Sequence, residues 1–71
     1  MVRLTVLSQS SVAAVLRVEG WVAEEDVGLL EREGERLLAG SNQLVLELDR
    51  VEFVDAAGLV LLRGWSGPRL R

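Results

Sequence analysis

The chain has 71 residues, 8 basic and 11 acidic, with a net charge of −3 and neither cysteine nor histidine. Those absences remove disulfides, thiolate metal sites and cysteine nucleophiles, along with the commonest general base. No catalytic residue, metal site or cofactor is therefore expected, and the acidic balance gives no global attraction for nucleic acid or anionic membranes.

Hydrophobic residues make up 49% of the sequence, which argues against intrinsic disorder. A domain this small buries only about 60% of its unfolded surface, and small folds usually add disulfides, a metal or a partner subunit. Association is the reinforcement that this composition leaves. Met1-Val2-Arg3-Leu4 places one charge before apolar residues, but Ser8, Gln9, Ser10 and Ser11 interrupt the run. No signal peptide is expected, and no stretch approaches the ~20 apolar residues of a membrane span. The expectation is one domain over residues 1–71 in a cytoplasmic protein without direct membrane insertion.

Val2 to Leu7 reads as a first strand, bounded by the polar cluster Ser8 to Ser11. Ser11 to Val18 is a second apolar run of strand length, closed by Glu19-Gly20, and the two suggest an antiparallel pair. From Ala23 the period becomes helical, with Val27, Leu30, Gly34, Leu37 and Leu38 on one stripe. Glu24, Glu25 and Asp26 suit the positive end of the helix dipole, and Gly40 suits the position just past its end. Gly34 fits either close helix-to-sheet contact or a tolerated surface glycine.

Gln43 to Leu48 has only Glu47 polar among its last five residues, the pattern of a strand covered on both faces. Strand, helix, strand predicts a parallel pair joined by a crossover. Asp49 to Val54 connects this strand to Asp55, a strong N-cap before Ala56-Ala57. The second helix, Ala56 to Trp65, has Arg63 as its one charge, so it needs cover or a partner on nearly every face. Ser66-Gly67-Pro68 should end it, and Arg69-Leu70-Arg71 alternates like the start of a strand. The fold class is α/β: a small mixed sheet with helices in the order ββαβα plus a rudimentary last strand.

The segment from Gln43 to Leu59, QLVLELDRVEFVDAAGL, resembles the signature of STAS domains, named for sulfate transporters and anti-sigma factor antagonists. In that family a buried strand leads into an Asp-Ser-Ser-Gly-Leu or Asp-Ser-Thr-Gly-Leu helix start, and the ββα order upstream agrees. The resemblance implies a bacterial, non-enzymatic protein-interaction module whose partner is an anti-sigma factor or related kinase-like regulator. Contact residues would be Asp55, Ala56, Ala57, Gly58, Leu59 and Leu62.

This sequence departs from the family in three ways. Ala56 occupies the position of the phosphorylated serine or threonine, so no phosphorylation site is expected. Ala23 stands near the family's acidic residue after the second strand, where Glu24 or Asp26 could substitute. The chain also stops early, so a C-terminally truncated domain is expected, with uncovered apolar groups that favour a homo-oligomer, most simply a dimer with swapped elements. Leu61, Trp65, Leu70 and Trp21 are its candidate interface, although tryptophan fills small cores as often as it marks hot spots. Two other readings stay open: an accessory subunit of a membrane transport system, and a truncated product that oligomerises without a defined task.

Overall fold

A computed structural model describes residues 1–65 and 68–70. The elements run β1 (Val2–Gln9), β2 (Ala14–Val22), α1 (Glu24–Gly40), β3 (Leu44–Val54), α2 (Ala56–Gly64) and β4 (Pro68–Leu70). They form one four-stranded sheet in the order β1-β2-β3-β4. The β1–β2 pair is antiparallel, and β2–β3 and β3–β4 are parallel. The expected ββαβα order with a short last strand is the one observed.

Both helices lie on one face of the sheet. The period-2 rule decides which strand residues meet them. Ala14, Leu16, Val18 and Val22 from β2 and Leu44 and Leu46 from β3 are fully buried against Leu30 and Leu37 of α1 and Leu62 of α2. The alternate residues Val15, Arg17 and Glu19 are half-buried on the opposite face, and Trp21 is exposed. This corrects the expectation that β3 is covered on both sides. Val45 and Glu47 point to the helix-free face and are sheltered by neighbouring strands, with Arg17 Nε donating to Glu47 Oε1 at 2.7 Å.

The strand β3 also runs on through the segment expected to be a connection. It does so by two register shifts against β2. Arg17 pairs with Glu47 but Glu19 pairs with Arg50, and Gly20 pairs with Val51 but Trp21 pairs with Phe53. Strict alternation from Leu44 would bring Arg50 and Glu52 onto the helix face, which burial of charge forbids. The first bulge reverses the parity so that Val51 packs on the core instead. The second restores it, which returns Phe53 to the open face and Val54 to the core side.

Helix α1 ends differently from expectation. Gly40 is the last helical residue rather than a left-handed cap, and Gly20 is the one glycine with positive φ (+89°) among the described residues. Ser41 continues in extended conformation and its hydroxyl donates to the carbonyl of Ser10, tying the helix end to the β1–β2 turn. Gly34 resolves in favour of close contact. A Cβ there would run into the indole of Trp65 and stand 3.3 Å from Leu44 Cδ2. Helix α2 stops at Gly64, and Trp65 closes it by donating its N–H to the Leu61 carbonyl at 2.9 Å. Of the expected stop Ser66-Gly67-Pro68, Ser66 and Gly67 lie outside the described residues and Pro68 begins β4.

Candidate functional site

The C-terminal ends of the parallel strands β2 and β3 lie side by side, and each feeds directly into a helix. Backbone pairing fixes this geometry, since Asp55 N–H donates to the Val22 carbonyl at 3.1 Å. The first turns of α1 and α2 therefore start from the same rim. Each helix begins with backbone N–H groups that have no partner within the helix.

Asp55 serves both. Its Oδ1 accepts from Gly58 N–H at 2.9 Å, the N-cap bond of its own helix. Its Oδ2 accepts from Glu24 N–H at 2.8 Å, the first residue of the other helix. Asp26 completes the second start. It is 9% exposed, and its Oδ2 accepts from the Ala23 N–H at 3.1 Å. That bond is one half of a capping box, the other half being impossible because Ala23 has no side-chain acceptor. Asp26 is thus committed to its own helix, whereas Glu24 and Glu25 project into solvent.

Gly58 is buried where α2 crosses the strands. A Cβ there would lie 2.9 Å from the Val22 carbonyl oxygen and from Cγ1 atoms of both Val22 and Val54. Only glycine lets the helix start so close to the sheet. Pinning one side of α2 down leaves the other side outward. Ala56 is exposed, Leu59 is 43% exposed and Val60 is 71% exposed. On the helix-free side of the same rim, the exposed rings of Trp21 and Phe53 meet at a centroid distance of 5.2 Å, tilted by 44°.

The residues singled out in the sequence therefore divide. Asp55, Ala56, Ala57 and Leu59 lie together at the start of α2, with Ala57 and Asp55 half-buried. Gly58 and Leu62 face inward: Gly58 lies against Val22 and Val54, and Leu62 belongs to the core. Leu61 and Trp65 are half-buried and pack on the core. The side chain of Leu70 lies outside the described residues. Val60 lies on the same exposed face of α2, and its signal in the sequence is the lack of a polar residue between Leu59 and Arg63.

Both oxygens of Asp55 are engaged by backbone N–H groups, and the neighbouring position is a methyl group. Among the described residues no group of three or more acidic, histidine or cysteine side chains could hold a metal. No helix among them is long and apolar enough to cross a membrane.

No protein-family model matches the sequence, and no curated protein matches it. The structure is similar to that of the anti-sigma factor antagonist SpoIIAA in its unphosphorylated form. The TM-score is 0.67 at 16% identity, over 87% of this chain and 58% of that one. This chain thus corresponds to somewhat more than half the length of that protein. At that identity the likeness speaks for architecture, and the chain has the STAS-like fold of an anti-sigma factor antagonist.

Proposed function

We propose that this chain is a non-enzymatic protein-binding module of the anti-sigma factor antagonist kind, constitutive rather than switched by phosphorylation. The observation that carries the reading is the exposure of Leu59 and Val60 beside Ala56, on the one helix whose start resembles the STAS signature. An apolar helix face next to a pinned helix start is a rigid, low-entropy contact surface. Exposed Glu24 and Glu25 border it and would set orientation rather than affinity. Phosphate at a helix N-terminus is the natural off-signal for such a surface, because it adds about two negative charges beside Asp55. Ala56 has no hydroxyl to carry it.

The test is titration of the chain against anti-sigma factors of its source organism, with and without ATP. The expected result is a complex whose affinity ATP-dependent kinase activity leaves unchanged, and which Leu59→Asp and Val60→Asp each weaken at least tenfold. Unaltered binding by both variants would remove α2 as the contact surface. Failure of every such factor to bind would remove the function.

A further inference from the structure

The strand β1 forms one edge of the sheet, pairing on one side with β2 and on the other with nothing among the described residues. It is eight residues long, and Arg3 is its one charge. It contains no proline, and its one irregularity is the register shift between Val6 and Ser8. Natural edge strands are normally blunted by several charges, proline, early bulges or a covering element. Here the segment Val2 to Val6 is regular, and Val6 and Leu7 remain 38% and 41% exposed.

The backbone direction of this edge follows from one bond. The Met1 carbonyl accepts from Trp21 N–H at 3.0 Å, so residue 1 turns its polar groups toward β2. In an antiparallel ladder successive residues alternate in the side to which they present N–H and C=O. Arg3 and Thr5 therefore bond inward, whereas Val2, Leu4 and Val6 hold their N–H and C=O toward the free edge. Their side chains are also those on the helix side, opposite Gly20, Val18 and Leu16.

We infer that a second copy of this chain docks on this edge, with β1 pairing antiparallel to β1 about a two-fold axis through Leu4. Three features select that partner and register. Placing Leu4 opposite Leu4 sets Val2 opposite Val6 twice over, so all three outward-facing residues of each copy meet an outward-facing residue and exchange hydrogen bonds. The cross-strand pairs on the helix side are then apolar against apolar, which extends the core layer across the axis. On the other face Arg3 meets Thr5 rather than its own copy, so no like charges are opposed. The paired span is the regular one and ends before the bulge. The product is an eight-stranded sheet with all four helices on one side. This surface is separate from the exposed face of α2, so the proposed function and the dimer fail independently.

Sedimentation equilibrium and a charge-swap pair test the arrangement. Wild type is expected to be a concentration-dependent dimer. Leu4→Lys and Leu4→Glu are each expected to be monomeric, since the axis sets identical charges against each other, and a one-to-one mixture to recover the dimer. A wild-type chain that stays monomeric at every concentration overturns the inference, including one that instead accepts a foreign extended peptide along β1. Dimerisation of either variant alone, or failure of the mixture to dimerise, also overturns it. Amide exchange keeps the test decisive should the variants not fold. In wild type, exchange at Val2, Leu4 and Val6 is expected to slow at least tenfold as concentration rises, while Arg3 and Thr5 stay protected throughout. Concentration-independent exchange at Leu4 overturns the pairing.

Discussion

The carboxylate of Asp55 accepts the backbone N–H of Glu24 at 2.8 Å, across a sequence separation of 31 residues. One side chain thus holds the starts of both helices, because its other oxygen accepts from Gly58 N–H. An ordinary N-cap contributes about 1 kcal/mol. Asp55→Ala removes two such bonds and is expected to cost about 2 kcal/mol. Asp55→Asn keeps one side-chain acceptor and is expected to lose about half as much. Urea unfolding followed by circular dichroism measures both. Equal losses for the two variants would show that one of the two bonds contributes nothing.

Gly34 and Trp65 form a second long-range pair, of shape rather than charge. Gly34→Ala drives a methyl into the indole and is expected to destabilise by about 1–3 kcal/mol, the usual range for overpacking. In a Trp65→Ala background the same change has room. It should then stabilise by up to about 1 kcal/mol through helix propensity. The reversal of sign in a double-mutant cycle is the measurement; two losses of similar size would remove the indole as the cause.

Helix α2 predicts opposite outcomes for adjacent turns. Leu62 is in the core, so Leu62→Ala is expected to cost about 2–5 kcal/mol. Leu59→Asp and Val60→Asp lie on the exposed face and are expected to change stability by about 0.5 kcal/mol or less. Thermal melts separate the two classes, and the exposed variants report on binding without confounding loss of fold.

Glu33 accepts a hydrogen bond from Arg36 one turn later, and that bond holds its carboxyl below the ordinary value of 4.5. A depressed folded-state value means that the carboxylate favours folding above its unfolded pKa, and that this contribution is lost as pH falls through the lowered value. Both side chains are solvent-facing, so salt should weaken the effect. NMR titration of the Glu33 carboxyl in wild type and in Arg36→Gln is expected to show the midpoint rising in the variant. An unchanged midpoint would assign the shift to another cause.

The local rules of the sequence determined a good deal of this protein. The helical stripe through Leu30, Gly34 and Leu37, the N-cap at Asp55 and the two-strand opening are legible because each rests on residue type and spacing within one turn or one pleat. The absence of cysteine and histidine, likewise, bounds the chemistry without any structure.

Tertiary structure decided the remainder, where one element's conformation is set by another. Asp49 to Val54 has too many charges to read as a strand by itself. It becomes one because β2 offers a ladder, and two bulges turn its charges away from the helices. Gly40 looks like a cap by position, yet Ser41 ends the helix by reaching the Ser10 carbonyl across the fold. Leu59, Val60 and Leu62 are equally apolar in sequence. Which of them is surface follows from Gly58 pressing against Val22 and Val54, a contact that rotates the helix and that no local pattern encodes.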